Sequence, residues 1–225
     1  MKLYVVRHGV TAWNKAKRMQ GQTDIPLAEE GIELALRTGE GMADVPIDIV
    51  ISSPLSRAME TARCILKGRS LSGKKHTGMK RNGERLDIPD IPILQDERIQ
   101  EISFGRWEGE CILDSKLLPK GYMEQFFHDP LNIPKPPGGE TFLQVRERTG
   151  AFLRELSACR DYADKNILIS THGAAGRCLL SHFYEDGEVN IWRTGVPANC
   201  SVSIVEILDG TGTVLELDKI YAPLP

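Results

Sequence analysis

The sequence contains no run of about 18 apolar residues, which excludes a membrane-spanning helix. It also lacks paired cysteines. Cys64, Cys111, Cys159, Cys178 and Cys200 are scattered and odd in number, with no C-x-x-C and no zinc-like spacing. They read as reduced, mostly buried thiols of a reducing compartment. No H-E-x-x-H is present, so no metal site is expected. There is no basic excess: 28 Lys and Arg stand against 31 Asp and Glu, a net charge of −3. That balance argues against a nucleic-acid backbone as partner. The apolar stretch 2–6 is too short for a signal peptide, so a cytoplasmic location is expected. What is there is ordinary: 225 residues, 41% hydrophobic and 26% charged. Such a chain makes one domain with a sizeable core.

Strand-like and helix-like runs alternate along it. Residues 2–6, 47–52 and 166–170 read as strands. Helical spacing appears from about 12 to 17, and over 29–42 through Ile32, Ala35, Leu36, Gly39 and Met42. Ser53 reads as an N-cap with Pro54 at the first helical position. The helix that follows presents Leu55, Ala58, Ala62 and Ile65 on one face. After Pro136-Pro137-Gly138-Gly139, Phe142, Val145, Thr149, Phe152 and Leu156 mark a longer helix, and 174–183 marks another. The final strands, 201–208 and 213–220, flank an Asp209-Gly210 hairpin signal. This order predicts an α/β fold, a three-layer α/β/α sandwich on a mostly parallel mixed sheet.

Two segments interrupt the alternation. Residues 67–85 carry seven basic residues against one acid and read as an exposed basic loop insertion. Within it, Gly68 to Lys75 nearly fits a phosphate-binding Walker loop. The Ser or Thr is missing, however, and a helix rather than a strand precedes it. This loop is expected on the face away from the pocket, with a surface role or none. The second segment, 111–139, reads as a small helical or loop cap over a site.

The chemistry-bearing residues fall after predicted strands, where open α/β sheets bind ligands. Arg7-His8-Gly9 combines a planar fork for phosphate oxygens, an imidazole and a glycine that permits close backbone approach. Alone, this tripeptide is weak evidence, and an ordinary satisfied or solvent-exposed histidine is the better reading of it. Arg57 lies in the first turns of the helix after Ser53, where it can face an anion. Glu101 has Glu97, Glu108 and Glu110 as nearby competitors. Thr171-His172-Gly173 repeats the strand-end histidine. His76, His128 and His182 read as solvated, and Trp107 as a packing residue.

Four motifs in order carry a resemblance: R-H-G at 7–9, S-x-L-x-R-A-x-x-T-A at 53–62, E-x-x-[FY]-G-x-W-E-G at 101–109, and T-H-G at 171–173. Trp13-Asn14 and D-x-P-L-x-x-x-G at 24–31 add to it. The chain resembles the histidine phosphatase superfamily, in its phosphoglycerate-mutase-like branch, from residue 3 to about 207.

The resemblance implies roles. His8 would be the nucleophile, and Arg7, Arg57 and His172 would hold the phosphate. Glu101 would be the acid and then assist water. Asn14, Gln20, Gly21 and Gly173 would complete the substrate pocket, with no metal and no cofactor. Val10 departs from the Glu or Gln that usually follows R-H-G. The cap departs too. Cofactor-dependent phosphoglycerate mutases carry an arginine pair there that grips the substrate carboxylate, and 121–130 lacks it. The expectation is therefore a phosphomonoester hydrolase acting through phosphohistidine on a small phosphorylated metabolite. The alternatives are a phosphoglycerate mutase and a catalytically silent phospho-ligand-binding module. The physiological substrate and oligomeric state are not legible.

Overall fold

A computed structural model describes residues 1–71 and 91–222. The elements in chain order are β1 (Lys2–Arg7), α1 (Ala12–Lys15), α2 (Glu29–Gly41), β2 (Ile49–Ser52), α3 (Ser56–Leu71), β3 (Ile93–Gln95), α4 (Tyr122–His128), α5 (Phe142–Ala158), β4 (Asn166–Thr171), α6 (Gly173–Leu180), β5 (Val202–Leu208) and β6 (Thr211–Lys219). The six strands form one sheet in the order β3-β2-β4-β1-β5-β6. β3, β2, β4 and β1 run parallel, while β5 and β6 are antiparallel additions. The expected mostly parallel mixed sheet is present.

Period-2 alternation sorts the strand side chains into two cores. Tyr4, Val6, Val50 and Leu168 pack with Met42, Ala62 and Ile65 of the α2/α3 layer. Leu3, Val5, Ile51, Ile167 and Ile169 pack on the opposite face with Phe152, Leu156 and Leu179 of α5 and α6. The sandwich therefore has three layers. A third apolar cluster packs residues of 111–139 against α5, α6 and Trp192. There Phe126 stacks near Phe142 and Trp192, and Trp107 meets Tyr122 edge-on at 5.0 Å.

Several local expectations need correction. α3 starts at Ser56, and its first turn is closed by bonds from Ala58 N and Met59 N to the Leu55 carbonyl. Ser53 is thus not its N-cap. Residues 67–71 are not loop but the last turn of α3, and Arg69 is buried. Its Nη1 donates to the carbonyls of Met42 and Val45, both at 2.5 Å. Gly68 is likewise helical; a Cβ there would stand 1.9 Å from the Leu36 carbonyl oxygen, so this glycine lets α3 approach α2. The rest of the expected basic loop, 72–85, lies outside the described residues, as does His76. On α2 the buried face is Gly31, Leu34, Ala35, Thr38 and Gly39, while Ile32 and Leu36 are only half-buried. Ala35, Gly39 and Met42 are buried as expected; the expected face leaves out Leu34 and Thr38, and a polar threonine does not register in an apolar pattern. β3 carried no periodic signal because it is three residues long. Two of the cysteines are buried and three are half-buried.

Candidate active site

Strand register brings the site together. β1 and β4 pair Arg7 with Thr171, and β2 and β4 pair Ser52 with Ser170. The next residue of each strand, His8, His172 and Ser53, therefore emerges side by side at the carboxyl edge of the parallel sheet. The His8 N–H donates to the Thr171 carbonyl at 3.0 Å, and Ser53 N–H to that of Ser170 at 2.9 Å. The two imidazole centroids stand 5.2 Å apart, and both rings are buried.

The tautomer of His8 follows from its partner. Nδ1 lies 2.7 Å from the Gly9 carbonyl oxygen. A carbonyl only accepts, so Nδ1 carries the hydrogen and Nε2 keeps its lone pair. Burial, and next the Arg57 and Arg7 guanidinium groups, hold the His8 pKa well below its ordinary value. The same two causes, burial and then Arg57, lower that of His172. Neutral imidazoles are the result. Gly9 is required for steric reasons, since a Cβ would sit 2.7 Å from the Gly31 carbonyl oxygen.

Both arginines are fixed at their tips. Arg57, fully buried, donates from Nη2 to the Gly21 carbonyl at 2.6 Å and from Nη1 to that of Thr23 at 2.9 Å. Arg7 Nη1 donates to the Pro197 carbonyl. The Nε atoms of both arginines and Nδ1 of His172 are buried with no protein partner. Buried guanidinium N–H groups are costly without an acceptor. An anion with several oxygens satisfies such a set, and phosphate matches arginine geometry.

Glu101 joins this constellation, whereas its competitors do not. Its carboxylate accepts from the backbone N–H groups of Gly173, Ala174 and Ala175 at the start of α6, and from Ile102. A methyl at Gly173 would meet Glu101 Oε2 at 3.6 Å, Val196 at 3.7 Å and Arg7 Nε at 3.8 Å, so these groups converge there. Glu108 instead clamps the loop at 20–23, accepting from Gln22 N–H and Thr23 N–H as well as from Phe104 N–H. Glu97 is exposed, and Glu110 takes the Ser115 hydroxyl.

The four residues expected to complete the pocket are less directly engaged. Asn14 caps α1 reciprocally with Thr11. Gln20 is buried against the Thr11 hydroxyl at 2.9 Å. Gly21 offers a carbonyl to Arg57, and the Gly173 N–H is occupied by Glu101. His182 is not solvated: it is half-buried beside the Arg146 carbonyl at 3.0 Å.

Sequence reasoning missed three contacts. Ser53 Oγ and His172 Nε2 share a hydrogen bond of 2.8 Å. Arg148 of α5 gathers the carbonyls of Arg98, Gln100 and Glu101, fixing the segment that carries Glu101. Asn199 reaches the carbonyls of His8 and Gly9. Each is one polar residue whose partner is distant in sequence, so no local pattern marks it. Among the described residues no group of three or more His, Cys, Asp or Glu is placed to hold a metal ion. No helix among them is long and apolar enough to cross a membrane.

Comparison with known proteins agrees with this geometry. Residues 3–219 match the family model of the histidine phosphatase superfamily (branch 1). A 2,3-bisphosphoglycerate-dependent phosphoglycerate mutase of Gloeobacter violaceus is 31% identical over 211 residues, covering 93% of this chain and 87% of that protein. Among solved structures, YhfR of Bacillus stearothermophilus is 30% identical with a TM-score of 0.78, covering 97% of both chains. A mycobacterial glucosyl-3-phosphoglycerate phosphatase, solved with VO3, shares the fold at a TM-score of 0.77 and 23% identity, covering 95% of this chain and 96% of that one. Motif order, strand register and a match along nearly the whole chain all agree, and the chain belongs to the histidine phosphatase superfamily.

Proposed function

We propose that this protein is a phosphomonoesterase that works through a phosphohistidine on His8. One observation carries the reading: the free Nε2 lone pair of His8 stands beside His172, and the buried Nε atoms of Arg7 and Arg57 and Nδ1 of His172 have no protein partner. In the first step Nε2 forms the N–P bond as the P–O ester bond breaks. Arg7, Arg57 and His172 hold the three equatorial oxygens, supplying the fixed positive field that metal ions supply elsewhere. Glu101 delivers a proton to the departing oxygen. Glu101 then takes a proton from water as its oxygen attacks phosphorus, the N–P bond breaks, and phosphate leaves with His8 neutral again.

Hydrolysis is favoured over mutase chemistry by the cap. Residues 111–139 contain Lys116, Lys120 and Lys135 but no arginine, so no paired fork is available there for a carboxylate. The mutase name carried by the 31% identical relative favours the second reading. Assays on p-nitrophenyl phosphate and on 3-phosphoglycerate with 2,3-bisphosphoglycerate separate the two. The expected result is aryl phosphate hydrolysis, an alkali-stable phosphoenzyme, and loss of both in His8→Ala. Efficient isomerisation of 3- to 2-phosphoglycerate would replace this reading with the mutase. Hydrolysis that survives His8→Ala would remove the nucleophile.

A further inference from the structure

Asn199 lies in the segment before β5, nearly 200 residues from the nucleophile in sequence. Its side-chain nitrogen donates to the His8 carbonyl at 2.9 Å and to the Gly9 carbonyl at 3.2 Å. The third neighbour of that nitrogen, Asn14 Oδ1 at 3.4 Å, already accepts the Thr11 N–H and is itself an acceptor. Three acceptor oxygens around one atom fix the orientation of the amide: only the NH₂ end fits there. Neighbouring residues of the same segment reinforce the contact. Cys200 N–H donates to the Arg7 carbonyl at 3.0 Å, and Arg7 N–H to that of Ser201 at 3.2 Å.

The Gly9 carbonyl thus receives two donors, Nδ1–H of His8 and the amide of Asn199. A carbonyl oxygen has two lone pairs, and here each has a partner. The peptide plane after a glycine is the easiest in a chain to rotate, because glycine restricts neither φ nor ψ by a side chain. A rotated carbonyl would deprive Nδ1 of its acceptor and let the proton move to Nε2, the atom that must attack. The peptide between His8 and Gly9 is tied at both ends, by Asn199 at the His8 carbonyl and by Thr61 Oγ1 at the Gly9 N–H, 2.9 Å away.

Resting on the phosphohistidine reading above, we propose that Asn199 is a positioning residue whose amide locks the Gly9 carbonyl, and through it the tautomer and aim of His8. The carbonyl plays the part that a carboxylate plays behind the histidine of a Ser-His-Asp triad.

The test compares Asn199→Asp and Asn199→Ala with the unaltered protein. Asp keeps the shape but puts an oxygen against three acceptors; Ala removes the donor without adding repulsion. The first readout is the ¹⁵N spectrum of the His8 imidazole in the resting protein, assigned by its loss in His8→Ala. The unaltered protein should show a protonated Nδ1 and a free Nε2, and both variants a mixed population, with Asp further displaced. The second readout is turnover of p-nitrophenyl phosphate, with kcat expected to fall about 10- to 100-fold, the scale of a small misplacement at a reacting atom. Inhibition by inorganic phosphate should change less than about threefold, since the arginines that bind it are untouched.

An unchanged His8 tautomer in either folded variant would overturn the proposal. So would a parallel fall of kcat, phosphate inhibition and thermal midpoint, which marks a merely structural loss. Should Asn199→Asp not fold, Asn199→Ala carries the test alone. The tautomer is read without turnover, so failure of the phosphatase reading and failure of this inference are separately visible.

Discussion

At the level of single residues, the candidate site denies its ionisable groups their usual surroundings. His8 and His172 are neutral because burial opposes a charge that Arg57 also opposes. Glu101 is placed by backbone N–H donors rather than by another side chain, which leaves its own chemistry as the variable to test. Glu101→Gln preserves the shape and removes the proton. It is expected to slow hydrolysis of alkyl phosphates by about 10²–10⁴-fold. Aryl phosphates, whose leaving oxygen needs less protonation, should suffer much less. Steady-state kinetics on one substrate of each kind checks this, and equal losses on both would reassign the acid. Legibility at this scale was uneven. His8, Arg57, Glu101 and His172 stand out in the sequence because each sits in a local motif, and the fold brings them together. Ser53 was misread as an N-cap, because a helix cap and a hydrogen bond to a distant imidazole use the same hydroxyl.

Elements are joined by close backbone approaches that only glycine permits. α2 and α3 meet so tightly that a Cβ at Gly39 would stand 2.2 Å from the Ile65 carbonyl oxygen, and one at Gly68 would stand 1.9 Å from that of Leu36. Neither carbonyl can yield without loosening its own helix. Gly39→Ala is therefore expected to destabilise the protein by about 1–3 kcal/mol, the usual cost of overpacking. In an isolated helix the same change would be favourable, since alanine is the better helix former. Urea unfolding of the variant measures the difference; an unchanged or raised midpoint would show that the helices can part without cost. The helix faces explain why part of the pattern was misjudged. Thr38 carries no hydrophobic signal, and a pattern set on Ile32 and Leu36 passes over Leu34, so two residues that only border the core stand in for two that lie in it. α5, whose core face is Phe142, Val145, Phe152 and Leu156, was read correctly because its packing is apolar.

The whole molecule inherits a pH dependence from its two buried histidines. In the unfolded chain each binds a proton near pH 6.5. In the native protein both pKa values lie well below that, so under acid conditions the unfolded state holds more protons. Stability from this source is fully present above about pH 6.5 and is lost as the pH falls from there through the depressed native values. The thermal midpoint should drop between pH 7 and pH 5. Replacing both histidines, as His8→Asn with His172→Asn, should remove most of that drop. A drop of the same size in the double variant would place the dependence on other groups.

By itself, the sequence determined which kinds of group are present and where along the chain they lie. Alternating strand and helix patterns set the layers, and local motifs marked His8, Arg7, Arg57, Glu101 and His172, because those signals reside within a few residues of each other. Tertiary structure alone decided which of them meet. The pairing of Arg7 with Thr171 puts two imidazoles 5.2 Å apart, and the return of the chain at 197–201 places an amide behind one of them. A hydrogen bond depends on distance in space, and residues as far apart in the chain as His8 and Asn199 acquire that distance only when the sheet closes.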